Sequence, residues 1–250
     1  MVNLKLRLIQ KIAFFFTWAT LILVPAAIAE PLHLVTESYP PYSYSKGGEL
    51  KGISVELMHL VMADTGLDYD MELMPWARAI SLAENRNGYC VFTTVHTKER
   101  DKRFEWIGPL FTNHSYLVKS TNSNVQAPTL EAARKYMVGT QLGDYTVGVL
   151  EGLQFTRIDL ASNIDITINK LVLGRIDLMP MAGSLVDELQ KKGVLVTKLM
   201  TLNESLNSVA CNKKIPAPAI AKMQASLDKL IENGTWDNIF RKHGLNRKRL

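Results

Sequence analysis

The stretch "VFTTVHTKERDKRFEWIGPL", Val91 to Leu110, decides how the chain is read. An apolar run enters the pair Thr93-Thr94, then a charged corner holding Arg100, then aromatic residues that end in Gly108-Pro109. If the run is a buried strand, Thr93 and Thr94 close its carboxyl end and Arg100 opens a following helix with its guanidinium turned back to that end. Ligands of open α/β sheets settle just there. The alternative is an ordinary strand-to-helix corner, and the flanking sequence discriminates between the two.

Before this stretch, "LHLVT" (32–36) reads as a buried strand followed by the Pro-rich turn "SYPPYSY". "ISVELMHLVMADTG" places Ile53, Leu57 and Val61 at helical spacing, with Gly66 where a C-terminal cap belongs. "DYDMELM" (68–74) alternates as a strand, and "PWARAISLAENRNG" starts a helix with Pro75 at its first position. This β-α-β-α-β order predicts a mainly parallel sheet with helices on both faces.

After it, "SYLVKS" (115–120) is a strand running into the polar segment "TNSNVQAPT". A second α/β unit follows: "YMVGTQLG" as strand and turn, a helix around 145–153, the helix "NIDITINKLVLG", the strand "RIDLMPM" and the helix "SLVDELQKKG". "LNSVACNKK" is a further strand near a return crossing. The last helices carry Ile220, Met223, Leu227, Leu230 and Ile231 on one face, then Gly234, with Thr235 as a cap. The expected organisation is a leader over 1–29, lobe one over 30–117 and 213–250, and lobe two over 118–212.

The leader rests on Lys5, Arg7 and Lys11 before the apolar "IAFFFTWATLILV", and on Ala27-Ile28-Ala29 as a small-x-small cleavage site. Removing those three cations from 29 Lys and Arg leaves 26 against 24 Asp and Glu, so the exported chain is close to neutral. No basic stripe interleaved with aromatics occurs, which argues against nucleic acid. The five histidines lack metal-ligand spacing, and no dinucleotide, Walker or nucleophile-elbow motif is present. No metal and no cofactor is expected. Cys90 and Cys211 sit in apolar runs and read as free, buried small residues; a bridge between them in an oxidising compartment is the alternative.

The positions that follow strands form a consistent set. They are Tyr39 and Tyr42; Thr93, Thr94 and Arg100; Gly143, Asp144 and Tyr145 at a helix start; and Ala182, Gly183 and Ser184. Arg grips a carboxylate with two parallel bonds, and aromatic rings can flank a small solute.

"SYPPYSY", "GISVELMHLVMADTG", "TTVHTKERDKRFEWIGPLF", "LVLGRIDLMPM" and "LDKLIENGTWDNIFRKHG" together resemble the bacterial periplasmic solute-binding proteins of polar amino-acid ABC transporters, family 3. "PWARA" resembles a subgroup with a Pro-Trp-x-Arg helix start, which adds Trp76 and Arg78 as candidates for the pocket wall. The resemblance implies a two-lobed periplasmic binding protein fold of type II with two hinge crossings. It also implies a monomer that closes on a small-molecule solute and delivers it to an ABC permease in the inner membrane. By the same resemblance, Arg100 holds the ligand carboxylate, Thr93 supplies a hydroxyl or backbone contact, and Tyr39 and Tyr42 are pocket aromatics. Gly143 belongs to the second lobe's helix-start motif, where Asp144-Tyr145 replaces small hydroxyl residues. Ala182 stands where the family places the Asp that holds an α-ammonium. Either Asp144 or Glu37 replaces that acid, or the solute is not an ordinary α-amino acid; the second is the favoured expectation. Two further readings remain open on the same fold: a cyclohexadienyl dehydratase and a ligand-sensing module for a membrane signalling partner.

Overall fold

The computed structural model describes residues 30–245. The expected leader and the basic residues Arg247, Lys248 and Arg249 lie outside the described residues.

Two halves share one continuous sheet. In the first half, β1 (Leu32–Thr36) pairs in parallel with β4 (Tyr69–Leu73) on one side and β5 (Tyr89–Val95) on the other. In the second half, β7 (Val138–Gln141) pairs in parallel with β8 (Ile158–Ala161), and Val138 also bridges Leu178 next to β9 (Met179–Ala182). Two strands of 17 residues, β6 (Phe104–Ser120) and β10 (Val196–Asn212), run antiparallel through both halves. At one end β10 pairs with β5, and at the other β6 pairs with β9, giving the order β4-β1-β5-β10-β6-β9. This is the two-lobed α/β architecture expected from the sequence.

Helices cover both faces of each half. The helix α1 (Ile53–Thr65) buries Ile53, Leu57, Met58, Val61 and Met62, and it ends at Gly66 in the left-handed conformation that a residue without Cβ adopts at no steric cost. It packs with α7 (Ala217–Glu232) and α8 (Thr235–Lys242) around Tyr42, Phe111, Trp236 and Phe240. On the opposite face, α2 (Trp76–Asn85) packs Trp76, Ala79, Ile80 and Ala83 against Val35, Val91 and Phe104. The second half repeats the plan. One core holds Ile164, Ile168 and Leu171 of α5 (Ile164–Val172) and Leu185 and Val186 of α6 (Gly183–Lys191); the other holds Ala133 of α3 (Leu130–Ala133) and Leu150 of α4 (Tyr145–Gly152).

Several local expectations change. "FEWIGPLF", whose aromatic residues and Gly-Pro close the corner in sequence, opens β6 and pairs antiparallel with β10. Residues 98–103 form turns, so Arg100 stands in a turn and starts no helix. Thr235 is the first residue of α8 and makes no side-chain cap; Gly234, at φ 78°, takes the cap position. A small hairpin, β2 (Tyr44–Lys46) with β3 (Glu49–Lys51), turns on Gly47-Gly48, both at positive φ. The Gly-Gly pair between short polar runs is the local signal for that turn. Cys90 and Cys211 form a disulfide, because β10 sets the two residues opposite each other in register with β5.

Candidate functional site

The carboxyl ends of β1 and β5, the start of α4 and the end of β9 meet in one cleft. Its lining includes Glu37, Tyr39, Trp76, Thr93, Val95, Arg100, Asp144, Tyr145 and Ala182. The floor comes from the crossing strands: Asn113 and Ser115 of β6, and Ser205 and Asn207 of β10. Asn113 pairs with Ser205 across the ladder, and residues two apart on a strand share a face, so all four point into the cleft from one side. The lobes are closed, leaving about 50 Å³ of free space, enough for a few waters.

Hydrogen bonds join the opposite lobes across the cleft. Trp76 Nε1 donates to the Gly143 carbonyl at 3.0 Å. Arg100 Nη2 donates to the same carbonyl at 3.1 Å, while its Nη1 holds Val95 O at 2.9 Å. Gln141 Nε2 donates to Glu37 Oε2 at 3.1 Å. Arg100, 5% exposed, also lies 5.4 Å over the Trp76 ring. Burial pulls the Arg100 pKa down, and the neighbouring Asp144 charge opposes that shift; a guanidinium stays charged nonetheless.

Charge is divided within the cleft. Glu37 is pushed well above the usual carboxylate range, first by burial and then by the charges of Asp144 and Asp165. Among the described residues its hydrogen-bonding neighbour from the far lobe is the neutral Gln141 amide, which brings no balancing charge. Asp144 caps α4, with Oδ1 accepting from Thr146 N at 2.8 Å and Thr146 Oγ1 at 2.5 Å. Tyr145 Oη lies 2.8 Å from Ser115 Oγ, and burial raises the Tyr145 pKa, as it raises that of Tyr39. A backbone hydrogen bond from Ala182 reaches Tyr39.

Thr93 has φ 63°, a conformation that β-branched residues rarely adopt. Strain of this kind costs about 1–3 kcal/mol and persists where surrounding structure enforces it. The Thr93 Oγ1 and Asn207 Nδ2 atoms are buried in the cleft wall with no hydrogen-bond partner among the described residues. A donor-rich side (Arg100, Thr93, Asn207) and an acid-rich side (Glu37, Asp144) thus bound the same small space.

A model of the bacterial extracellular solute-binding proteins, family 3, matches residues 33–246. The chain belongs to that family. Several solved structures share its fold. One is the arginine-, lysine-, histidine-binding protein ArtJ from Geobacillus stearothermophilus, with TM-score 0.78 and 18% identity over 88% of this chain and 97% of that one. Another is a histidine kinase sensor domain similar to periplasmic binding proteins, with TM-score 0.79 and 16% identity over 87% and 98% of the two chains. A third is an ancestral amino-acid-binding protein, a precursor of cyclohexadienyl dehydratase, with TM-score 0.74 and 19% identity over 85% and 94%. Identities this low carry the fold alone. No curated protein matches in sequence.

Within this family 3 protein, the residues singled out in the sequence divide into two groups. Arg100, Thr93, Tyr39, Trp76, Asp144, Tyr145 and Ala182 line the cleft, and Gly143 meets it through its carbonyl. The others are placed elsewhere. Tyr42 is fully buried in the lobe-one core, stacked at 4.1 Å on Phe111, with its hydroxyl on Ser184 at 3.0 Å. Thr94 turns inward and donates to Val91 O, because neighbouring strand residues face opposite sides. Arg78 is exposed on α2, two positions from the buried Trp76 and therefore on another face. The floor residues Asn113, Ser115, Ser205 and Asn207 escaped sequence reasoning. Their signal is a small polar pair two residues apart near the middle of each long crossing strand. Among the described residues there is no cluster that could hold a metal ion, and no helix is long and apolar enough to cross a membrane.

Proposed function

We propose that this protein is a periplasmic receptor for a small solute bearing both a carboxylate and a protonated amine, an amino acid or close relative, which it delivers to an ABC permease. The observation that carries the reading is the pairing of a buried guanidinium, Arg100, with the half-buried carboxyl of Glu37 in one closed cleft. The carboxylate meets Arg100, with Thr93 Oγ1 and Asn207 Nδ2 as further donors. The amine meets Glu37, which takes the role lost at Ala182. The sequence favoured a solute without an ordinary α-amino group; Glu37 inside the cleft shifts the balance to an amine. Binding proteins with arginine in their names share the fold, in keeping with this class of solute. The lobes swing about the middle of β6 and β10, around Asn113–Ser115 and Ser205–Asn207, and not at the boundaries 117/118 and 212/213 expected from sequence. The exported chain acts as a monomer.

The test is a thermal-shift panel on protein stripped of ligand, covering the L-amino acids, polyamines, small dicarboxylates and prephenate. A solute at about a thousand times its Kd adds roughly 4 kcal/mol and raises Tm by several degrees. Shifts confined to amine-free carboxylates would refute the proposal. A second reading, dehydration of a cyclohexadienyl acid, draws on Glu37: a carboxyl with a raised pKa in the same cleft as the Arg100 guanidinium is suited to general-acid work. Turnover of prephenate or arogenate by the purified protein would establish it.

A further inference from the structure

Gln141 ends β7 in lobe two and faces Glu37, which follows β1 in lobe one. Its Nε2 donates to Glu37 Oε2 at 3.1 Å. In the ionised form that an amine would meet, Glu37 can only accept, so the amide turns its N–H groups toward Glu37 and its carbonyl oxygen elsewhere. That oxygen is buried and has no hydrogen-bond partner, in a residue 4% exposed. A buried acceptor left unpaired is costly, and a donor brought into the site removes the cost.

The space beside Gln141 is bordered by Tyr39, Ser115, Asp144, Tyr145 and Ala182, all of which also line the main cleft, so the two spaces adjoin. No Lys or Arg borders the Gln141 side. Its charged group is the Asp144 carboxylate, with Glu37 across the lobe gap, and the Gln141 carbonyl adds an unpaired acceptor. An ammonium has several N–H donors and can serve more than one of them at once, whereas a hydroxyl has a single donor.

We propose that Gln141 is a specificity-determining residue: its amide N–H orients Glu37, and its unpaired carbonyl oxygen accepts a second N–H from the solute, so that the site selects primary amines over their hydroxyl counterparts. The inference rests on the zwitterion reading above. It deepens that reading by naming the feature of the amine that is recognised, its possession of at least two N–H bonds. Because Gln141 and Glu37 sit on different lobes, this recognition exists only in the closed form.

The experiment takes the tightest binder among the twenty L-amino acids, 5-aminovalerate and putrescine, together with its counterpart carrying hydroxyl in place of the amine. Affinities are measured by calorimetry for the wild type, Gln141→Met, Gln141→Glu and Glu37→Gln. Gln141→Met keeps the length of the side chain and removes the amide. It should weaken the amine ligand about tenfold or more while changing the hydroxyl counterpart by less than about twofold. Gln141→Glu keeps an acceptor oxygen but loses the N–H that orients Glu37, so it should lose part of the amine preference. An unchanged affinity of Gln141→Met for the hydroxyl counterpart shows that its loss is not misfolding. Equal losses for both ligands, or no loss for the amine, would overturn the proposal. If Glu37→Gln leaves the amine-to-hydroxyl ratio unchanged, or no compound in the set binds, the zwitterion reading itself fails. If Glu37→Gln collapses that ratio and Gln141→Met does not, only the assignment of Gln141 fails.

Discussion

Arg100 Nη2 and Trp76 Nε1 both donate to the carbonyl oxygen of Gly143, at 3.1 and 3.0 Å, so a single peptide group of lobe two receives the cation and the indole of lobe one. Gly143 has φ 76° and precedes α4, and that conformation turns its carbonyl toward lobe one. The same Arg100 that is proposed to hold a carboxylate therefore also holds the lobes together.

Arg100→Ala should weaken solute binding by roughly a hundredfold, the scale of a charged hydrogen-bonded group removed from a buried site. It should also lower the stability of the closed protein by about 1–3 kcal/mol, because Val95 O loses its side-chain donor and Gly143 O keeps only that of Trp76. Calorimetric titration and thermal melting measure the two effects. A variant that binds as well as wild type while melting much earlier would reduce Arg100 to a structural residue.

Trp76→Phe keeps a ring in the lobe-one core and deletes the Nε1 bond to Gly143. Affinity should drop about fivefold, the equivalent of roughly 1 kcal/mol of closure energy. Small-angle scattering of ligand-free protein should show a larger average radius than wild type. Unchanged scattering and affinity would mean that the indole contributes nothing to closure.

Glu37 sets two pH dependences of opposite sign. Its folded pKa is raised well above 4.5, so between 4.5 and the folded value the native state holds a proton that the unfolded chain has lost. Ligand-free stability should therefore decline as pH rises through that window, and Glu37→Gln should flatten the slope. Amine binding needs the carboxylate, so affinity should instead improve as pH rises through the same window. A solute whose affinity is flat across it is not held by Glu37.

Cys90 and Cys211 are 121 residues apart in sequence and join β5 to β10 inside lobe one. Opening a long loop of this kind typically costs about 2–5 kcal/mol. Reduction under mild denaturation, or the pair Cys90→Ala and Cys211→Ala, should lower Tm by several degrees. Solute affinity at low temperature should hardly change, because the bridge lies within one lobe and away from the cleft lining.

The elements of both lobes were legible wherever periodicity is local. The apolar spacing of Ile53, Leu57 and Val61 with Gly66 behind it, and the five-residue strand at Leu32–Thr36, are properties of short windows. The cleft was legible in part, because residues following parallel strands converge whatever the rest of the chain does. That rule brought Tyr39, Thr93, Arg100, Asp144 and Ala182 together. It misplaced Tyr42 and Thr94, because adjacency in sequence does not say which of two neighbouring side chains faces the core.

The sequence by itself determined the α/β class, the two-lobed plan, the family and the cation at the cleft, since each depends on local pattern or on ordered motifs along the chain. The tertiary structure alone decided the pairing of β6 with β10, and with it the polar floor of Asn113, Ser115, Ser205 and Asn207 and the Cys90–Cys211 bridge. It alone set Gln141 against Glu37 and two donors on Gly143. These relationships join residues tens to more than a hundred positions apart. Register between distant strands and contact between two lobes arise from packing that no short window encodes.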